Sequence, residues 1–341
     1  MPDIISREIR LKNRPVGLPS DSDFELAEIT LPEVGDGEIL VRNIYMSVDP
    51  YMRGRMYDRD SYVPPFQINQ PLEGACVGRV IDSKKDQYDA GDYVLSMSGW
   101  REYFVSDGKG LSKIDPNIAP IQTFLGTVGM PGLTAYIGLL DIGKPQEGET
   151  VFVSAASGAV GSIVCQIAKL KGCRVVGSAG SDKKISWLME EAGIDAAFNY
   201  KKVANLIAEV GKHCPQGIDI YFENVGGTHL EAALEYMNPF GRLVMCGMIS
   251  IYNAVEPPPG PINLGYTISK RLTLQGFIVS DHLSKLPQFY ADMGRWIEEG
   301  NIKWKETIVE GIENAPQAFV GLFKGDNFGK MIVKIGPDVT T

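Results

Sequence analysis

A glycine-containing turn behind an apolar segment is the feature of this sequence that points most directly to a ligand. Residues 154–162 read SAASGAVGS, follow the apolar segment 150–154 and open a stretch with apolar residues at helical spacing. In a strand–turn–helix unit, such a turn brings backbone N–H groups and a helix N-terminus to the pyrophosphate of a dinucleotide. Gly158 is expected to admit phosphate oxygens, and Gly161 to let helix and strand pack closely. Because Ala156 replaces the first glycine, a purely structural turn is the alternative.

The end of the second predicted strand bears on which dinucleotide is bound. Sites for NAD place an Asp or Glu about 20 residues after the turn, on the ribose. Here the strand ends without an acid at 175–180, and Ser181, Asp182, Lys183 and Lys184 follow. Cations in a first helical turn oppose the helix dipole, so a 2′-phosphate would explain the lysines. The alternatives are two solvated surface lysines, and an Asp182 that only caps the helix with Ser181.

Two later strand ends add polar groups at the same edge of the predicted sheet. Asn224 lies in the sequence ENVGG (223–227) and can hydrogen-bond a ribose or a nicotinamide, or simply form the turn. Tyr252 lies in CGMISIYN (246–253), where the glycine permits close approach of a nicotinamide. Tyr252 is expected at the mouth of the site, with a packed loop aromatic as the alternative. The segment VDPYMRGRM (48–56) is by itself expected to be a surface turn.

Cysteine and histidine spacing argues against a metal site and against disulfides. The sequence has no CxxC pair, and its three histidines are far apart. A zinc site of the Cys₄ or Cys₂His₂ type is therefore not expected, and the cysteines are expected to be reduced. The cysteines are Cys76, Cys165, Cys173, Cys214 and Cys246.

These residues need a scaffold that alternates strands and helices. From about residue 130, apolar runs alternate with helical stretches, which predicts a doubly wound, parallel, six-stranded α/β sheet. Before that point, short alternating segments broken by Gly, Pro and Asp predict antiparallel strands. The segment 250–270 lacks a clear pattern and is expected to be a functional or mobile loop, or a rigid polyproline connector. The predicted parallel strands are 150–155, 173–179, 196–200, 218–225, 242–249 and 271–279.

Composition limits the classes of partner. The 341 residues include 33 Lys and Arg against 42 Asp and Glu, a net charge of −9. That sign argues against a nucleic-acid-binding or anionic-membrane-binding surface. No apolar run reaches the roughly 18 residues of a membrane helix, and the charged N-terminus lacks the apolar core of a signal peptide. A cytoplasmic protein acting on a small molecule is expected.

Together these motifs resemble the zinc-independent medium-chain dehydrogenase/reductases. The resemblance runs essentially end to end and is closest to the leukotriene hydroxydehydrogenase/prostaglandin reductase branch. That branch includes plant alkenal double-bond reductases and bacterial curcumin-reductase-like proteins. The motifs that carry the resemblance are VDPYMRGRM (48–56), VGMPGLTAY (128–136), AASGAVGS (155–162), FNYK (198–201), ENVGG (223–227), PPPGP (257–261) and GDNFGK (325–330).

The resemblance implies a GroES-like, β-rich substrate domain from residues 1–128 and 300–341, and a Rossmann NADP-binding domain from 129–299, with the cleft between them. It implies a homodimer and NADPH-dependent reduction of the carbon–carbon double bond of α,β-unsaturated aldehydes and ketones. Hydride would go to the β-carbon, and the enolate would be protonated at the α-carbon. Zinc-dependent relatives carry Gly-His-Glu where this chain has Leu72-Glu73-Gly74. A quinone oxidoreductase is one alternative, and an NADPH-binding protein with little catalysis is another.

The same resemblance implies roles for individual residues. Tyr252 and Tyr51 are the candidate catalytic residues, as hydrogen-bond donors to the developing oxyanion, with Tyr252, Tyr51 or water supplying the proton. No metal ligands are implied. The residues implied to bind NADP(H) are Met130, Gly158, Ala159, Val160, Gly161, Lys184, Tyr200, Asn224, Cys246, Gly247, Met248, Ile249, Ser250, Ile251, Tyr252, Phe277, Ile278, Val279 and Asn327.

Overall fold

The structure is a computed structural model that describes residues 4–340, and the chain separates into two compact units. The first unit contains the chain up to residue 125 together with 306–327 and the part from 331 onward. The second unit contains residues 126–305 and 328–330. Within residues 4–340, no helix combines the length and the apolar character needed to cross a bilayer.

The elements follow one another along the chain in three stretches. The first stretch holds β1 Ile5–Leu11, β2 Phe24–Thr30, β3 Ile39–Ser47, α1 Met52–Arg55, β4 Cys76–Ser83, β5 Tyr93–Ser96, β6 Tyr103–Ser106 and β7 Ser112–Ile114. The second holds α2 Met130–Ile137, β8 Thr150–Val153, α3 Gly161–Leu170, β9 Arg174–Ala179, α4 Asp182–Glu190, β10 Ala196–Asn199, α5 Leu206–His213, β11 Ile218–Glu223, α6 Thr228–Tyr236, β12 Met237–Met245, α7 Tyr266–Ser269, β13 Thr273–Gly276 and α8 Leu286–Glu298. The third holds β14 Glu306–Glu310, α9 Ala315–Lys324 and β15 Lys330–Lys334.

The first unit is built on antiparallel sheet. β1 and β2 form a two-stranded ribbon, and a larger sheet has the order β14-β15-β3-β4-β5-β7, with β6 also paired to β3. Nearly every residue of β3 is buried because the strand has neighbours on both sides. Trp100 is fully buried in the core, stacked on Phe24 with ring centroids 6.4 Å apart and meeting Phe319 of α9 edge-on at 6.3 Å. Aromatic packing thus ties the C-terminal segment to this unit.

The second unit is a parallel sheet with the order β10-β9-β8-β11-β12-β13. This confirms the prediction of a six-stranded doubly wound sheet. Central strands such as β8 are buried at every position, as expected when helices cover both faces. Phe152 of β8 stacks on Tyr221 of β11 with centroids 5.2 Å apart. β13, at the sheet edge, is exposed at every residue.

Several local predictions were wrong. The segment 48–56 is not a surface turn: α1 lies there, and its Arg53 and Arg55 are buried. The Arg53 guanidinium lies 4.1 Å from the ring centre of Tyr57, and that of Arg55 lies 4.0 Å from the ring centre of Phe66. Aromatic faces of this kind allow a cation to be buried, which charge patterning alone does not reveal.

Other differences concern the ends of the parallel sheet. The strand predicted over 271–279 is only the four-residue β13, because its exposed edge position lacks a second neighbour. β12 begins at Met237, earlier than the predicted 242. The segment 250–270 contains α7 and part of a short 3₁₀ turn, Ile249–Ile251.

β9 needs a glycine where the turn after β8 passes over it. Ala156 is fully buried, and its N–H donates to the Ser178 carbonyl over 2.9 Å. A Cβ atom at Gly177 would lie 2.7 Å from Ala156 Cβ and 3.0 Å from Ile194 Cδ1. The turn after β8 can therefore lie this close to β9 only because residue 177 is a glycine.

We expect Gly177→Ala to lower the free energy of unfolding by about 1–3 kcal/mol, the usual cost of overpacking a tight core. Ala156→Gly should recover part of that loss in the double variant, because it removes the methyl group in the way. The measurement is the urea midpoint of unfolding. Gly294→Ala is the control, since Gly294 lies on the exposed face of α8 with open space around it. Equal stability of Gly177→Ala and the wild type would contradict the packing argument.

Candidate active site

The glycine turn joins β8 to α3. Ala155 has a positive φ of 48°, and the chain then reverses into α3 at Gly161. A Cβ atom at Gly161 would lie 2.4 Å from the Ala155 carbonyl oxygen, so the close packing expected of this glycine is present. Gly158 closes the turn by donating its N–H to the Ala155 carbonyl over 2.9 Å. The first turn of α3 offers N–H groups and positive potential to an anion.

The last three residues of the GDNFGK motif, 328–330, belong to the same unit as this turn and lie against it. Gly329 donates its N–H to the Ser157 carbonyl over 3.0 Å and forms a bridge with Gly158. A Cβ atom at Gly329 would lie 1.7 Å from the Lys305 carbonyl oxygen, which explains the glycine. Phe328 meets Trp187 of α4 edge-on, with ring centroids 5.6 Å apart. The motif therefore holds the segment after Asn327 beside the predicted phosphate site.

A buried carboxylate organises the end of β11. Glu223 is fully buried, and its Oε1 accepts hydrogen bonds from the N–H groups of Val225 and Gly226 over 2.6 and 2.8 Å. The same oxygen accepts from the Tyr221 hydroxyl over 2.9 Å and from Ser154 Oγ over 3.1 Å. Burial raises the pKa of Glu223, and the backbone donors act in the opposite direction. This carboxylate fixes the turn after β11 and joins it to the end of β8.

Asn224 is held in one orientation by Ser154. Its Nδ2 donates to the Ser154 carbonyl over 2.7 Å, and its backbone N–H donates to Ser154 Oγ over 2.9 Å. One side-chain N–H is thus used by the protein. The rest of the amide, above all its carbonyl oxygen, is what Asn224 can offer to a ligand.

The loop after β12 runs alongside the turn after β11. Cys246 and Gly247 donate their N–H groups to the Glu223 carbonyl over 3.1 and 3.0 Å. The Ile249 N–H donates to the Asn224 carbonyl over 3.2 Å, and the Ser250 N–H donates to the Val225 carbonyl over 3.0 Å. Backbone bonds therefore bring together Asn224 and the 246–252 segment, which the sequence places about one strand and one helix apart.

Tyr252 lies at the end of this loop with its hydroxyl next to Gly247. The hydroxyl oxygen accepts the Met248 N–H over 3.2 Å, and a Cβ atom at Gly247 would lie 3.1 Å from it. A tyrosine hydroxyl is protonated at neutral pH, and burial raises the pKa of Tyr252 further. A tyrosine hydroxyl is a donor as well as an acceptor of hydrogen bonds.

Two further predicted residues or segments lie in the same unit. Met130 is the first residue of α2 and is 36% exposed. Phe277 follows β13, and its Cζ would lie 2.8 Å from a Cβ atom at Gly138, so its ring packs closely on the helical segment after α2. Ile278 and Val279 continue from Phe277 into a 3₁₀ turn.

The end of β9 forms a corner with the end of β10. Tyr200 begins the 3₁₀ turn after β10 rather than ending the strand, and its hydroxyl would lie 3.2 Å from a Cβ atom at Gly180. Ser181 caps α4 by accepting the Lys184 N–H over 3.4 Å. The buried His229 ring meets the Tyr200 ring edge-on, with ring centroids 5.0 Å apart. Burial lowers the pKa of His229 to about 4, so the imidazole that contacts Tyr200 is neutral at pH 7.

Tyr51 and Asn327 are assigned to the first unit. Tyr51 directly precedes α1, and burial together with the nearby Asp49 raises the pKa of its hydroxyl. Glu73, in the Leu72-Glu73-Gly74 segment, pairs with Arg55 over 2.6 Å. Within residues 4–340, no group of three or more His, Cys, Asp or Glu side chains is placed to hold a metal ion.

Sequence reasoning did not single out Ser154 and Glu223 as organisers of the site. Glu223 ends β11 and Ser154 directly follows β8, and the two side chains, 69 residues apart in the sequence, bond to each other and to backbone N–H groups. Their only signal in the sequence was a polar residue where an apolar run ends, and a carboxylate buried at such a place needs hydrogen-bond partners.

Comparison with known proteins identifies the family. Two family models match: the N-terminal domain of oxidoreductase over residues 7–114 and zinc-binding dehydrogenase over 159–299. The NADPH-dependent curcumin reductase of Escherichia coli (strain K12) is 45% identical over 333 residues, covering 96% of each chain. Prostaglandin reductase 1 of Bos taurus is 47% identical over 329 residues, 95% of this chain and 97% of its own.

A solved structure gives the same answer. The crystal structure of CurA in complex with NADPH from Vibrio vulnificus superposes with a TM-score of 0.92 at 44% identity, covering 97% of this chain and 100% of that one. The chain therefore belongs to the medium-chain dehydrogenase/reductase family, in its zinc-independent prostaglandin reductase branch.

Proposed function

We propose that this protein uses NADPH to reduce the carbon–carbon double bond of α,β-unsaturated aldehydes and ketones. The observation that carries the proposal is the arrangement of the 246–252 loop along the turn after β11, which places the Tyr252 hydroxyl over a side-chain-free position at Gly247. The similarity to a curcumin reductase and to a prostaglandin reductase supports it.

The residues present fit NADPH. The turn around Gly158 and the α3 N-terminus suit a pyrophosphate. The corner formed by Gly180 and Tyr200, with Lys184 in the first turn of the adjoining α4, suits a 2′-phosphate, because β9 ends without an acid. Asn224 and the loop after β12 would hold the nicotinamide end. Bound NADPH supplies a hydride for the β-carbon of the substrate.

The role of the chain is to stabilise the charge that develops on the substrate. As the β-carbon gains a hydride, negative charge moves to the carbonyl oxygen, where a prearranged O–H donor lowers the barrier. We assign that donor to Tyr252, whose hydroxyl lies beside Gly247. The α-carbon then takes a proton from Tyr252 or from water, and Tyr51 is the second candidate donor.

The test is NADPH oxidation across trans-2-alkenals, enones and quinones, with the products identified. We expect turnover of alkenals and enones to their saturated carbonyl compounds. Faster turnover of quinones than of every enal and enone would identify a quinone oxidoreductase instead. Stoichiometric NADPH binding with no turnover of the whole panel would identify a binding protein.

We expect Tyr252→Phe to lower kcat on an enone about tenfold while leaving the Kd of NADPH nearly unchanged. Loss of one oxyanion donor costs on the order of 10²-fold when nothing replaces it, and a cofactor hydroxyl is expected to cover part of the loss here. Steady-state kinetics and a fluorescence titration of NADPH measure the two effects. Tyr290→Phe on α8, at an exposed tyrosine, is the matched control. An unchanged kcat for Tyr252→Phe would move the role to Tyr51 or water.

We expect Lys184→Ala to weaken NADPH binding by roughly 10- to 150-fold and to leave NADH binding almost unchanged. A hydrogen bond to a charged group contributes about 1.5–3 kcal/mol. NADH lacks the 2′-phosphate and does not make this bond, so removing the lysine should not affect its binding. Lys183→Ala is the control, because Lys183 is the exposed neighbour on the same helical turn. Equal weakening of NADPH and NADH would show that Lys184 does not contact the 2′-phosphate.

We also propose a homodimer that pairs the β13 strands of two copies. β13 is an exposed edge strand, and a row of unpaired backbone groups at an edge favours pairing with another chain. Exposed apolar side chains occur on the same stretch, including Ile262, Ile268 and Leu274.

A reducing, cytoplasmic location is part of the proposal, because all five cysteines are free thiols.

Light scattering after size exclusion should give twice the 37.3 kDa of the chain at micromolar concentration. Leu274→Glu should shift the protein toward the monomer, since it places like charges near each other across the paired strands. Ile5→Glu, at an exposed residue of β1, is the control and should leave the mass unchanged. A wild-type monomer would refute the dimer.

A further inference from the structure

The one acid at the start of α4 does not stand alone. Asp182 accepts a hydrogen bond from Asn199 Nδ2 over 2.8 Å and forms an ion pair with Lys202. Asn199 ends β10, and Lys202 ends the 3₁₀ turn that begins at Tyr200. These three residues, called the clamp below, therefore connect the start of α4 to the turn that carries Tyr200.

We infer that the clamp is a specificity device for the proposed cofactor: Lys202 cancels the charge of Asp182 beside the 2′-phosphate corner and so preserves the preference for NADPH over NADH. The inference rests on the proposed function. It assigns roles to Lys202, Asp182 and Asn199 as positioning residues, none of which needs to touch the cofactor.

Asp182 lies where its negative charge would repel a 2′-phosphate unless a cation compensates it. Acids at the end of the second strand bind the free ribose of NAD and repel a phosphate. Asp182 follows the end of β9 by three residues, and its carboxylate is 65% exposed on the side chain. Hydrogen bonds from Asn199 and Lys202 lower the pKa of Asp182, so it is charged at neutral pH. An uncompensated carboxylate here would oppose a phosphate at the corner.

The two neighbouring lysines of the Tyr200 turn are directed to different places. The Lys201 side chain lies against the end of β9, with Cε 3.2 Å from where a Cβ atom of Gly180 would be. Lys202 points to Asp182 instead, so neighbouring lysines of one turn have different tasks. With the Asp182 charge cancelled by Lys202, that carboxylate no longer opposes a phosphate at the corner. The clamp also ties the Tyr200 turn to α4 through Asn199.

The test separates charge cancellation from direct contact. NADPH and NADH are titrated by fluorescence against Lys202→Met, Asp182→Asn and the double variant. We expect Lys202→Met to weaken NADPH roughly 3- to 10-fold, less at high salt, with NADH unchanged, because charges at this range interact weakly through water. Asp182→Asn leaves the Lys202 charge unbalanced and should bind NADPH at least as tightly as the wild type, whereas the double variant should return to the wild-type affinity.

Lys212→Met is the matched control: Lys212 is 69% exposed, close to the 67% of Lys202, and pairs with Glu209 on α5. A double variant as weak as Lys202→Met would mean that Lys202 contacts the phosphate itself, and would overturn the inference. An unchanged NADPH affinity in Lys202→Met, or equal weakening of NADPH and NADH, would overturn it too. A wild-type protein that binds NADPH no better than NADH would refute the proposed cofactor preference instead, and the wild-type titration reports that separately.

Discussion

The buried carboxylate of Glu223 is the interaction on which the proposed site depends. One of its oxygens accepts two backbone N–H groups of the following turn, the Tyr221 hydroxyl and the Ser154 hydroxyl. Leaving a buried group of this kind without partners costs about 1–3 kcal/mol, and more for a charged one. The network therefore keeps the ends of β8 and β11 in one arrangement, and Asn224 takes its orientation from the same serine.

The rest of the site is built outward from that edge of the sheet. The loop after β12 is bonded to the backbone of Glu223 and Asn224, and its geometry places the Tyr252 hydroxyl beside Gly247. Preorganised donors of this kind act without reorganising during the reaction, which is where their catalytic advantage comes from. Amide and hydroxyl donors held in place at this edge can stabilise an oxyanion.

The sequence was enough to predict the parallel sheet, because its buried strands are continuous apolar runs separated by amphipathic helices. It did not predict α1, where aromatic rings bury Arg53 and Arg55, since arginine in a polar segment normally indicates surface. It overextended β13, whose residues have a suitable pattern but stand at an exposed edge. It also did not predict the pairing of Asp182 with Lys202, because the two come together only through the packing of β10 beside β9.

The position of the transferred hydrogen in the product tests the central claim most directly. The protein is incubated with a trans-2-alkenal and with NADPH that carries deuterium at nicotinamide C4, each C4 epimer in turn, and the product is examined by NMR. We expect a saturated aldehyde with deuterium on the β-carbon, from one epimer only, and an intact carbonyl group. An allylic alcohol with deuterium on the carbon that bears the hydroxyl group would contradict the proposed reaction, because the hydride would then have reduced the carbonyl rather than the carbon–carbon double bond.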